Sequence, residues 1–293
     1  MHGVEAFTGS AVQLALLDSP PLPGAEDAAI FVHVLNPYGM AWLRRTNENN
    51  VDLNRNFQVK DTQWSGAPAL YRVLDSLLNP KSAPARDAFM VRAAAVTMRY
   101  GFHRVKQAIG QGQYEYERGL FFGGHAMEGG PRLFCAWLQA HLARAAYVFA
   151  LDLHTGLGRR GTDTLVLEPS VAATAVETLS SALARPLVDP SQPSVAYTVR
   201  GNFGAALPPL LPHAKIDFVL QEIGTYPPLK VLHALREENR WHWYGDGGLE
   251  HPAKLRFREA LCPEAAEWRE KALDRGVTLA RAGARWTFGG QDA

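Results

Sequence analysis

The chain has 293 residues, 47% of them hydrophobic, and carries 30 basic against 29 acidic side chains. That length holds one large domain spanning residues 1–293 with a sizeable core, and the balanced charge excludes general attraction to nucleic acid or an anionic membrane. Cys135 and Cys262 stand far apart without CxxC spacing, which excludes a disulfide framework and a thiolate zinc site, so both are expected to be buried free thiols. No apolar run approaches the roughly 20 residues that span a bilayer, and no basic-then-apolar leader opens the chain. A soluble, cytoplasmic protein is expected, with a signal peptide upstream of Met1 left open.

In chain order, the first feature is HGVE, in which His2 and Glu5 stand three apart. At that spacing both side chains leave one face of a helical turn and can grip one metal ion. The run SAVQLALL repeats apolar residues at helical spacing and is stopped by DSPPLPG. AAIFVHVLNP is short, apolar and β-branched, which predicts a buried strand leading into a loop, with His33 packed in the core. Residues 36–57, NPYGMAWLRRTNENNVDLNRNF, are too polar for a core and too rich in asparagine for a helix, so they read as a binding loop. APARDAFMVRAAAVTMRYG and RLFCAWLQAHLARA predict helices. Between them GQYEYERGLFFGG predicts a loop along a cleft, where Tyr114 and Tyr116 either line the cleft or pack outside it.

AAYVFALDLH and KIDFVLQEIG predict two more buried strands, ending at His154 and Glu222. Amphipathic helices are expected over Leu229–Trp243 and from Pro263 to about Ala284. His103, His141, His233 and His242 fall in helical stretches, as structural or exposed residues. Alternating strands and helices predict an α/β fold, a three-layer α/β/α arrangement around a mixed central sheet, with ligands collecting at the carboxyl ends of strands. His154 and Glu222 both fall there. A zinc site needs three protein ligands, an open position and a nearby base, and His154, followed by TGLG, is well placed to complete His2 and Glu5.

Taken together, HGVE, NPYG, RRTNENNVDLNRNF, GQYEYERGLFFGG, LDLHTGLG and QEIGTY occur in this order over residues 2–226. On these motifs the sequence resembles the zinc carboxypeptidase superfamily and, within it, the bacterial branch that carries the domain of unknown function DUF2817. The resemblance implies a zinc-exopeptidase-like (phosphorylase/hydrolase-like) fold and one Zn2+ per chain held by His2, Glu5 and His154. It implies Glu222 as the general base on a zinc-bound water, and Arg45 as the group that polarises the scissile carbonyl, with Arg44 in reserve. Asn54 and Arg55 match the pair that holds a substrate carboxylate. Asp52 matches the carboxylate behind the first zinc histidine, and Tyr197 the mobile tyrosine that caps the substrate.

The family's HxxE turn follows central strands, and here those strands are absent from the N-terminal side. The expectation drawn from this is a truncated start, an unpaired sheet edge, a frayed ligand turn and impaired zinc binding. Three functions remain open: a metallocarboxypeptidase acting on a peptide, a zinc amidase or deacylase acting on an acyl amino acid with a free carboxylate, and a non-catalytic homologue that keeps the carboxylate pocket alone.

Overall fold

A computed structural model describes residues 1–20, 24, 26–59, 64–167, 173–188 and 199–289. Its helices in chain order are α1 (Ala6–Leu17), α2 (Pro37–Ala41), α3 (Ala69–Leu78), α4 (Phe89–Tyr100), α5 (Phe102–Gly110), α6 (Gly129–His141), α7 (Ala173–Ala182), α8 (Phe203–Leu210), α9 (Pro228–Tyr244), α10 (Pro252–Leu261) and α11 (Ala266–Phe288). A short 3-10 turn covers Leu53–Arg55. The strands are β1 (Tyr147–Gly156), β2 (Asp163–Leu167), β3 (Leu187–Val188) and β4 (Lys215–Gly224), in the spatial order β1-β4-β2-β3.

The sheet is mixed. β1 and β4 run parallel, β2 runs antiparallel to β4, and β3 is parallel to β2. Because strand side chains alternate between faces, β1 and β4 feed two different cores. Val148, Ala150, Ile216 and Phe218 pack with Cys135 and Leu138 of α6 and with Leu207 and Leu210 of α8. Phe149, Leu151 and Val219 pack instead with Leu179 of α7 and with Leu279 and Ala282 of α11. Helices therefore cover both faces, the three-layer α/β arrangement expected from the alternating pattern. Gly283 lets α11 come close, since a Cβ there would lie 2.2 Å from the Phe149 ring.

β1 lies at the edge of the sheet, with β4 as its only ladder partner among the described residues. The parallel register sets His154 opposite Glu222, so the two leave adjacent strands at the same end of the sheet.

Several expectations are corrected. Ala28–Pro37 is not a strand: Ile30 and Val32 are exposed, and the segment lies along α1, where the Gln13 side chain donates to the Val32 carbonyl. A β-prone run without a neighbouring strand makes no ladder. His33 consequently stands exposed beside Ser10 rather than in the core. Cys135 is buried but Cys262 only half-buried, and both are free. The helix expected over Leu229–Trp243 forms, yet Arg236, Glu237, Glu238, Asn239 and Arg240 are all buried instead of facing water. Arg236 and Arg240 pair with Glu237 and Asp87, Glu238 pairs with Arg44 and Lys254, and the Leu77, Ala83 and Arg118 carbonyls accept from Arg236, Arg240 and Asn239, which offsets the cost of taking them out of solvent.

Candidate metal centre and cavity

The turn carrying the first motif is packed rather than frayed. His2 is 2% exposed and Glu5 3%, and Val4 is fully buried in the core beneath α9 and α10. Gly3 is obligatory, because a Cβ there would fall 1.9 Å from the Gly39 carbonyl carbon. That close approach joins HGVE to the NPYG turn, where the Asn36 side chain accepts from the Gly39 N–H and caps α2.

His2 Nδ1 lies 2.7 Å from one oxygen of Glu5, and His154 Nδ1 lies 2.9 Å from the other. One donor atom from each of the three side chains falls within 4.8 Å of the rest. Both imidazoles present their second nitrogen to an aspartate: His2 Nε2 lies 3.0 Å from Asp52 Oδ1, and His154 Nε2 lies 2.9 Å from Asp152 Oδ2. A protonated imidazole would donate to both carboxylates, whereas a neutral one that gives its N–H to the aspartate turns its Nδ1 lone pair toward Glu5, the arrangement in which a cation fits between them. Two imidazole nitrogens and a carboxylate, each imidazole oriented by an outer carboxylate, are a donor set that fits zinc.

The electrostatics favour the ligand form at Glu5 and His2 and the proton-bearing form at His154, where a bound cation would have to displace that proton. Burial opposes charge on Glu5, but His2 and His154 outweigh it and hold the carboxyl well below the usual range. Burial likewise opposes charge on Asp52, yet Arg45, Arg55 and His2 hold it low. Burial and the Arg45 guanidinium pull His2 down, toward the neutral form a metal ligand needs. For His154 the pull of burial is overcome by Asp152 and Glu5, which push it up to about 10. Burial and the Glu5 charge raise Glu222 to about 7. Its Oε1 accepts the Leu157 N–H at 2.7 Å.

Asp52 does more than orient His2. Its second oxygen accepts from Arg45 Nε at 2.8 Å, its first also accepts the Asn54 N–H, and the side chain starts the 3-10 turn that carries Asn54 and Arg55. Arg45 reaches Glu5 at 3.3 Å and lies over the Phe121 ring. Arg55 donates to the carbonyls of Gly110 and Asn54, and Gly112 packs against its stem, where a Cβ would come within 2.7 Å.

His2, Glu5, His154, Glu222, Arg45, Asn54 and Arg55 all line one cavity of about 600 Å3. Arg44 is not among its walls. It is buried against Glu238, Asn50 and Asn239, on the other side of the loop from Arg45. Tyr197 lies outside the described residues. Of the GQYEYERGLFFGG stretch, Phe121 lines the cavity, whereas Tyr114 is buried with its hydroxyl donating to the Arg55 carbonyl, and Tyr116 packs at a tilt against Tyr71. Two polar residues escape the sequence reading. Asp152 shares a strand face with His154 at period two, which was a usable sign. Lys106 of α5 also lines the cavity, its pKa drawn down by burial against the opposing charge of Glu222, and nothing in its local sequence marks it.

Residues 1–275 match the family described as "Protein of unknown function (DUF2817)". The chain belongs to this family. Among solved structures, this DUF2817 chain is similar to the murein-tripeptide amidase MpaA from Escherichia coli O157, at 19% identity over 82% of this chain and 78% of that one, with a TM-score of 0.39. The comparison with curated proteins finds no match. No helix among the described residues is long and apolar enough to cross a membrane.

Proposed function

We propose that this DUF2817 chain is a zinc-dependent hydrolase of an amide bond next to a free carboxylate, carboxypeptidase-like in its chemistry. The observation that carries the reading is the convergence of His2, Glu5 and His154 donors within 4.8 Å, beside Glu222 and at one end of a cavity. Bound zinc would supply Lewis acidity and a water-derived nucleophile at neutral pH. Glu222 takes a proton from the attacking water and returns it to the leaving amine, so one carboxylate serves as base and then as acid. Its pKa near 7 suits both tasks.

Arg45, fixed by Asp52, faces the charge that develops on the carbonyl oxygen. Asn54 and Arg55 offer the carboxylate pole, with Lys106 a further cation in the same cavity. A second reading, hydrolysis of N-acyl amino acids, is favoured by the apolar character of the rest of that cavity.

The test is to count zinc per polypeptide in the chain and in His154→Ala after dialysis with trace zinc, then to assay both with C-terminally free peptides and N-acyl amino acids. One zinc per chain, lost with activity in the variant, is expected. No zinc in either would overturn the reading.

A further inference from the structure

Away from the metal pole, the cavity is walled by α3, α4, α5 and α9 through side chains such as Leu78, Phe89, Ala93, Val105, Ile109 and Leu232. Its volume of about 600 Å3 lies in the range of sites that enclose a whole organic ligand and is generous for one amino-acid side chain. Apart from Lys106 of α5, this wall offers little hydrogen bonding. Of its two threonines, Thr97 donates to the Ala93 carbonyl at 2.8 Å and Thr155 to the Leu261 carbonyl at 2.6 Å. A peptide continuing into this space would bury N–H and C=O groups against hydrocarbon, and each amide left unpaired carries a desolvation cost. A hydrocarbon chain carries none.

The rim points the same way. Met98 of α4 and Phe102 of α5 line the cavity and are 82% and 56% exposed. An aliphatic group passing from solvent to the interior meets apolar side chains throughout.

Resting on the hydrolase reading above, we infer that the substrate is a long-chain N-acyl amino acid. Its carboxylate sits at the Asn54, Arg55 and Lys106 pole, its amide beside Glu222, and its acyl chain fills the space between α3, α4, α5 and α9. In the reaction the amide C–N bond breaks, the water oxygen bonds to the acyl carbon, and the proton held by Glu222 goes to the nitrogen. The products are a long-chain carboxylate and a free amino acid.

The experiment is a homologous series of N-acylglycines from acetyl to tetradecanoyl, with peptides ending in leucine or phenylalanine alongside. Hydrolysis by the zinc-loaded chain is measured together with calorimetric binding to Glu222→Gln. Burying a methylene at about 0.8 kcal/mol corresponds to roughly fourfold in kcat/KM and in affinity per added carbon, until the cavity is full. Ala94→Trp, at an exposed position on α4 that lines the cavity, is expected to move the optimum to shorter chains without disturbing the core.

A rate that is flat with chain length, or highest for acetyl, would overturn the inference while leaving a hydrolase. Peptides hydrolysed faster than every acylglycine would place an apolar side chain in the cavity and overturn it as well. Binding that strengthens with chain length but without hydrolysis of any compound would keep the acyl cavity and remove the hydrolase reading. Absence of both binding and hydrolysis would overturn the two together.

Discussion

Two buried clusters of charge can be compared among the described residues, and one of them looks like a site. In the first, Glu5, Asp52, Asp152 and Glu222 surround two imidazoles and two arginines, Arg45 and Arg55, and each imidazole nitrogen faces a carboxylate oxygen. In the second, Arg44 and Lys254 share Glu238, while Arg236 and Arg240 share Glu237 and Asp87. The second is held by its own ion pairs and by backbone carbonyls, with Arg44 Nε and Nη1 buried without a hydrogen-bond partner, and none of its residues lines the large cavity. Burial of charge alone therefore marks nothing. What separates the clusters is that the first brings three metal-ligand side chains within 4.8 Å of one another on the wall of a cavity, and the second does not reach that cavity.

The sharpest break between them should come from two conservative changes. Glu222→Gln removes the proton carrier and is expected to lower kcat by about 10²–10⁴-fold, while zinc content and unfolding midpoint stay as in the wild type. Glu238→Gln should do the reverse. Removing one partner of a buried pair costs about 3–5 kcal/mol because the remaining cations stay buried without it, a loss that urea unfolding would register. Were Glu238→Gln as stable as wild type, the second cluster would not be holding the fold.

A smaller effect tests the outer shell of the metal pole. Asp52→Asn and Asp152→Asn each leave the three ligands in place but loosen one imidazole, and a 10–100-fold weakening of zinc binding is expected for each. Competition with a chromogenic chelator reads this directly. Asp52→Asn should also lower kcat, since Arg45 loses its anchor, whereas Asp152→Asn should act on affinity alone. Equal kcat losses in both would detach Arg45 from the carbonyl.

How far the sequence foretold these clusters depends on distance along the chain. β1 and β4 were legible as apolar runs, and because each ends in a chemically competent residue, His154 and Glu222 were legible with them. The HGVE turn and Asp52 were carried by motif. The preference for Arg45 over Arg44 came with the motif too, whereas the backbone that sends the two side chains apart did not show. Here that backbone includes Leu43 at φ +50°, a left-handed conformation that a leucine gives no warning of. Nor was the cavity legible, since α3 and α5 were not anticipated and its walls come from four segments that meet only in the fold. The run LREENRWHW misled for a similar reason: its charges read as a solvent face, and their partners at Asp87, Ser82 and Lys254 lie in other segments.

The least disruptive probe of the comparison is acidity. His242 sits at the second cluster, and burial together with Arg44 and Lys254 lowers its pKa to about 3 from an ordinary value of 6.5. The folded state thus keeps it neutral, whereas the unfolded chain binds a proton at higher pH. By linkage its contribution is fully present above pH 6.5 and is lost as pH falls from there toward 3, because protons then favour the unfolded chain. His242→Gln, which cannot take up that proton, should lose less stability than wild type between pH 7 and pH 4, as judged by urea midpoints at each pH. Parallel losses in the two proteins would mean that the excess cation of the second cluster is not felt at His242. The cluster would then be fully neutralised, and the contrast with the cation-seeking pole would be wider still.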